Sequence, residues 1–144
     1  MSEEKFEQFL DDYRLLIEAG FSAVKLCDET AAHRLFCAAE VLRSDAPEWA
    51  LGLGYIALNK LEVKKAAQIF KEVLEQHPDY HIAQTFYGLA LLFSKETRQE
   101  GERLIKDSMN KTDDPSVKNL GRVSLEFAET DLKKSKAPFF TGAE

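Results

Sequence analysis

Residues 47–78 read PEWALGLGYIALNKLEVKKAAQIFKEVLEQHP, and this stretch decides the fold. It is one complete helix-turn-helix unit, with an inner turn at Asn59 to Glu62 and Pro78 to stop the second helix. Its marks are Leu53, Gly54, Ala66, Phe70, Val73 and Pro78. Subtracting 34 from the positions of Gly54, Ala66, Phe70 and Val73 lands on Gly20, Ala32, Phe36 and Ala39, and adding 34 to Gly54 and Phe70 lands on Gly88 and Leu104. A fixed period of that length is the signature of stacked repeats. Gly54 and Ala66 are small where two antiparallel helices cross. Phe70, one turn after Ala66 on the same face, fills the hole between one helix pair and the next. No pair buries its apolar face alone, so stacking is required.

Working outward, residues 3–26 form one long helix, because Phe6, Phe9, Leu10, Tyr13, Leu16, Ile17, Gly20, Ala23 and Val24 recur at threes and fours. The part before Tyr13 precedes the first repeat and is a candidate cap or dimerisation arm. Asp28 or Thr30 can cap the next helix, whose inner face carries Ala32, Leu35, Phe36, Ala39 and Leu42. The third unit opens at His77-Pro78-Asp79. Its second helix breaks the period, since a strict repeat puts Glu100 and Asp107 at packed positions. A turn one residue longer puts Gly101, Ile105 and Ser108 there instead, which avoids burying two unpaired carboxylates. Gly121 follows Gly88 by 33, so residues 115–133 read as one more helix of the first type, with Leu120, Val123, Leu125, Phe127 and Leu132 as its apolar side. A more polar last helix suits a capping element. The expected fold is all-α: repeats at about 13–46, 47–80 and 81–113, a capping helix at 115–133, together one domain over residues 1–133, and a flexible tail at 134–144.

Composition narrows the function. The 144 residues carry 25 acidic and 19 basic side chains, a net charge of -6, which disfavours a nucleic-acid backbone as partner. No apolar run approaches the roughly 20 residues that span a bilayer, and the acidic start MSEEKFEQFLDD is unlike a signal peptide, so a cytoplasmic protein without a membrane span is expected. Cys27 and Cys37 read as free buried thiols rather than a disulfide. There is no glycine-rich phosphate loop, nucleophile elbow or metal motif, so neither an enzyme nor a cofactor is expected. His77 and His81 are four apart, but Pro78 breaks the helix that would put them on one face, and His33 stands alone.

With Leu53, Gly54, Ala66, Phe70 and Pro78 in place, the chain resembles the tetratricopeptide repeat family, whose pattern is Trp-x2-Leu-Gly-x2-Tyr followed by Ala, Phe or Tyr, Ala and Pro. It departs from that pattern at Ala57 in place of Tyr, at Val73 in place of Ala, and at Trp49, one position early. The resemblance implies a right-handed α-solenoid that binds other proteins.

The first helix of each unit is apolar on two stripes. One carries the repeat signature: Leu16, Ala19, Gly20 and Ala23, then Ala50, Leu53, Gly54 and Ala57, then Tyr87, Gly88 and Leu91. The other is displaced by one residue, hence rotated by about 100°. It carries Ile17, Phe21 and Val24, then Leu51, Tyr55 and Leu58, then Ile82, Leu89, Leu92 and Phe93. One stripe suffices to pack the pair, so the other needs a separate cover. In tetratricopeptide domains this second set lines a concave groove for ligand peptides. By that resemblance the groove here also takes in Arg14, Lys25, Glu48, Asn59 and Thr85. A clamp for a C-terminal carboxylate does not fit, because Ile17, Phe21, Leu51 and Tyr55 stand where its Lys and Asn belong.

The implied ligand is an extended or helical apolar segment of another protein. A small acidic three-repeat protein with an added N-terminal helix and an apolar groove is similar to the cytoplasmic chaperones of bacterial type III secretion systems, which hold translocator proteins or needle subunits. The similarity covers residues 3–132. A second reading is a general adaptor or assembly subunit, permanently bound to a partner or, as a homodimer or heterodimer through the N-terminal helix, to a twin. As an alternative to a foreign ligand, the stripe can be covered by the protein itself, through residues 3–12, Phe139-Phe140 or a twin subunit.

Overall fold

In the computed structural model, residues 2–133 are described, and their regular structure is all helical, with no strand among them. The elements are α1 (Glu3–Lys25), α2 (Glu29–Leu42), α3 (Glu48–Asn59), α4 (Val63–Gln76), α5 (His81–Leu92), α6 (Arg98–Lys111) and α7 (Pro115–Phe127), the last running into a π-helical turn (Ala128–Leu132). They divide into two units, Met1–His77 and Pro78–Glu144. The expected tail at 134–144, with Phe139-Phe140, lies outside the described residues.

In the first unit α1 packs on α2 and α3 on α4, and α3 also packs on α2 and α1. Phe36 is the centre of this arrangement and has no exposure. A Cβ at Gly20 would lie 2.6 Å from its ring, and one at Gly52 would overlap it, so the ring is clamped between the backbones of α1 and α3. Around it Ala23, Ala32 and Ile56 are buried, with Ile17, Phe21, Val24, Leu35 and Leu53 packed against them. Burying one such aromatic contributes roughly 2–3 kcal/mol, which is why its place is protected by glycines on both sides. Phe70 stands in the same relation to Gly54, fully buried against it. A second cluster of Tyr13, Ala39 and Ala46, with Leu16, Leu42 and Trp49, closes the other end.

The repeat is visible in the turns as well as in the core. After α1, Cys27 adopts φ 60°, its N–H donates to the Val24 carbonyl at 2.9 Å, and the Asp28 N–H donates to the Ala23 carbonyl at 2.9 Å. After α3, Leu61 adopts φ 59°, its N–H donates to the Leu58 carbonyl at 3.0 Å, and the Glu62 N–H donates to the Ala57 carbonyl at 2.9 Å. Each atom of one turn maps on the other by adding 34 to the residue number, and the form is the left-handed helix stop in which glycine is usual. Neither turn has a glycine, so each holds a strained residue. Leu61 is 69% exposed and loses little by truncation. Leu61→Gly is therefore expected to stabilise the protein by about 0.5–1 kcal/mol, read as a higher urea midpoint. A lower midpoint would mean that the leucine side chain matters more than its backbone.

In the second unit α5 packs on α6, and α7 packs on both. The turn from α5 to α6 takes five residues, 93–97, where the turns inside the two helix pairs of the first unit, 26–28 and 60–62, take three. No left-handed residue stops it. Thr97 closes it through its hydroxyl, which donates to the Leu91 carbonyl at 2.7 Å, and Arg98 Nε donates to the Leu92 carbonyl at 3.0 Å. The turn is two residues longer, where the sequence reading expects one, because α5 also ends one residue early; the register of α6 shifts by one residue, as that reading expects. Gly101, Ile105 and Ser108 are the buried residues of α6, whereas Glu100 is exposed and pairs with Arg103. Ser108 and Thr85, both without exposure, are 2.8 Å apart, and each hydroxyl also reaches a backbone carbonyl of its own helix. Gln84 donates to the Leu104 carbonyl and to Asp107, so the α5–α6 core contains a polar layer that the first unit lacks at these positions.

Helix α7 differs from expectation in the side it buries. The sequence reading places Leu120, Val123, Leu125, Phe127 and Leu132 inward; Leu125 and Leu132 do pack on the core, but the fully buried residues are Val117, Gly121, Ser124 and Ala128, and Val123 is 48% exposed. The packed stripe is made of small residues because α7 lies close on α6: a Cβ at Gly121 would overlap Met109. The larger residues flank it, half-buried. Cys27 and Cys37 are free, as expected, but not buried: Cys27 is exposed and Cys37 partly so.

Candidate functional site

The residues of the second stripe fall into two groups, one in each unit. On the first unit Ile17, Phe21 and Val24 project from α1, and Leu51, Tyr55, Leu58 and Asn59 from α3. Phe21 joins the stripe to the core. Its ring meets Phe36 edge-on, with centroids 5.1 Å apart at 72°, and meets Tyr55 at 5.6 Å on its other side. Ile17, Phe21, Val24 and Tyr55 remain half-buried, Leu51 and Leu58 are buried, and Asn59 is exposed, its side-chain amide donating to the Tyr55 carbonyl at 2.8 Å. At the opposite end the Tyr13 hydroxyl donates to Glu48 Oε2 at 3.0 Å, with the Arg43 guanidinium 5.7 Å from the Tyr13 ring.

Beside Asn59 lies a cleft of about 200 Å³ lined by Val24, Cys27, Glu29, Ile56, Asn59 and Lys60. Its charges are already matched. The Lys60 ammonium donates to Glu62 and Glu29, each at 2.9 Å, which pushes its pKa above the ordinary lysine range, and the Glu62 carboxyl is held below its usual range by the same contact. In the second unit the Asp107 carboxyl is likewise held below its usual range, first by Lys111 and then by Gln84.

In the second unit the stripe consists of Ile82, Thr85, Leu89, Leu92 and Phe93, and here the sequence reading needs correction. Thr85 and Leu92 have no exposure, so a partner cannot reach them. Thr85 is spent on the hydroxyl pair with Ser108. Leu92 forms a core with Ile105 and Ala128, against which Leu89, Leu125 and Leu132 pack, and the Phe93 ring lies 5.6 Å from Phe127. The physical reason is α7. It lies on α5 and covers the stripe there, so Leu89 and Phe93 are anchors of this unit's own interior before they can be anchors for anything else. Only Ile82, Leu89 and Phe93 keep partial exposure.

Other candidate groups are dispersed. His77 follows α4 at the end of the first unit, and His81 opens α5 in the second. His33 is less isolated than its sequence suggests, because Cys37, one turn on, brings its Sγ to 3.7 Å from the imidazole Nδ1. Among the described residues no group of three or more His, Cys, Asp or Glu is placed to hold a metal ion, and no helix is long and apolar enough to cross a membrane. No protein-family model matches the chain, and neither does any curated protein.

Proposed function

We propose that the chain is a cytoplasmic helical-repeat protein of the tetratricopeptide type, three helix-turn-helix repeats and a capping helix in a right-handed α-solenoid, that binds an apolar segment of a client protein. Its nearest functional class is the chaperones of type III secretion systems. What supports the repeat is the recurrence, 34 residues apart, of the Phe-on-glycine contact and of the whole helix-stop turn. The single observation that supports client binding is the half-exposed set Ile17, Phe21, Val24 and Tyr55 on adjoining helices of one unit, two of them aromatic rings in contact. Such a set gives large contact area at low entropy cost. The polar edge at Asn59 and Lys25 would fix the direction of the segment.

Tyr55→Asp tests this reading better than a change at Leu89, where a carboxylate would enter the interior of the second unit. Wild type and Tyr55→Asp are used side by side to capture proteins from native lysate. The captured protein is then purified and titrated against both. Affinity is expected to fall at least about tenfold in the variant, with the helical circular-dichroism signal retained. Equal binding by a folded Tyr55→Asp would remove the groove on the first unit from consideration.

A further inference from the structure

His33 and Cys37 are four residues apart on α2, so they stand one above the other on the same face of the helix. The Cys37 Sγ lies 3.7 Å from His33 Nδ1 and 3.9 Å from Nε2. A divalent cation bound by a thiolate at about 2.3 Å and an imidazole nitrogen at about 2.0–2.1 Å, with a tetrahedral angle between them, needs a sulfur-to-nitrogen span of about 3.5–3.6 Å. The observed span meets that requirement to within about 0.2 Å. Since the sulfur is almost equally far from both nitrogens, a small turn of the ring brings either one to the metal. Two donors at this helical spacing are also what the zinc-binding His-x3-His pair uses.

The surroundings leave the pair open to an ion. His33 is exposed and Cys37 partly so, which lets water take the remaining coordination positions. Among the described residues each side chain has the other as its hydrogen-bond partner, so no further contact has to break. Glu29, one turn before His33 on the same stripe, is held by Lys60 at 2.9 Å and does not join them. Cys27 has no such neighbour, because Ala23 and Ala31 stand four residues to either side of it. A donor set of one sulfur and one nitrogen selects zinc or cadmium over magnesium and calcium, which take oxygen.

We propose that His33 and Cys37 form a binding site for a thiophilic divalent cation, zinc in the first place. On binding, the Cys37 thiol gives its proton to solvent, and the thiolate and the neutral imidazole each donate an electron pair to the metal. The protein supplies two of the four donors of a closed zinc site, so the dissociation constant is on the order of 10 μM. The ion ties two successive turns of α2 together around Phe36, the centre of the first unit. No residue of the apolar stripe takes part, so this site and client binding can each fail without the other.

The test titrates zinc into the reduced, metal-free full chain in competition with a chromophoric chelator. Cadmium, added separately, reports the sulfur through its thiolate-to-metal absorption. One zinc per chain and a cadmium band are expected. His33→Gln and Cys37→Ser should each weaken zinc binding more than about tenfold, whereas Cys27→Ser should leave it unchanged. Cys37→His should restore zinc but not the cadmium band, because the helix then presents two imidazoles at the same spacing. His33 is exposed, so His33→Gln remains informative even if the variants at Cys37 fold poorly. No binding at millimolar zinc, undiminished binding by His33→Gln, or loss of binding in Cys27→Ser would each overturn the proposal and leave the pair a thiol–imidazole hydrogen bond only.

Discussion

Phe36→Ala is expected to lower the unfolding free energy by about 3–5 kcal/mol. The residue has no exposure, its ring fits between Gly20 and Gly52, and Phe21 stacks edge-on against it. Two helix backbones approach it on glycines, and a backbone cannot collapse into the space left by a deleted ring as a flexible side chain can. The residual cavity stays large, which places the cost at the upper end of the range for aromatic truncation. Since a domain of this size has only about 5–15 kcal/mol in total, the variant should be marginal. Urea unfolding measures the loss, and amide hydrogen exchange locates it: α1, α2 and α3 should lose protection first. A loss below about 1.5 kcal/mol would show that α1 and α3 do not clamp the ring.

The second large effect is expected at Gly101→Ala, at about 2–3 kcal/mol of destabilisation despite alanine's better helix propensity. A Cβ there would stand 2.6 Å from the Gly88 carbonyl oxygen and 3.1 Å from the Leu92 nitrogen, both backbone atoms of α5. Neither can rotate aside, so α5 and α6 must separate, and the Thr85–Ser108 contact opens with them. Glu100→Ala, one residue away and on the exposed side, should change stability by less than about 0.5 kcal/mol. The pair of variants reads the register of α6 directly. If Glu100→Ala proved costly and Gly101→Ala harmless, α6 would follow the strict repeat instead of the shifted one.

That register was legible in advance, and the reason is electrostatic. Burying Glu100 and Asp107 without partners costs more than lengthening a surface turn, so the sequence admits one good answer. The glycines at 20, 54 and 88 were legible for a steric reason: a residue with no side chain at a fixed interval marks where helices touch. Helix ends were legible too, through Asp28, whose carboxylate accepts from the Ala31 N–H at 3.0 Å, and through Pro115 at the first position of α7. All of these are local signals, carried within a turn or between helices adjacent in the chain.

The candidate site was legible only in part. The existence of a second apolar stripe follows from periodicity within each helix; on α1 it stays half-open, whereas on α3 only Tyr55 and Asn59 keep exposure, Leu51 and Leu58 being buried. Whether a stripe is covered depends on an element elsewhere in the chain, and no periodicity records that. On α5 the cover is α7, whose own packed face could not be read from hydrophobicity, because close approach selects Gly121, Ser124 and Ala128 over the larger Val123 and Phe127. By itself the sequence determined the helices, their pairing and the shifted register, since each rests on short-range sterics and on the cost of burying charge. Only the tertiary structure decided which apolar side chains remain open to a partner, because exposure is a property of what else packs there and not of the residue itself.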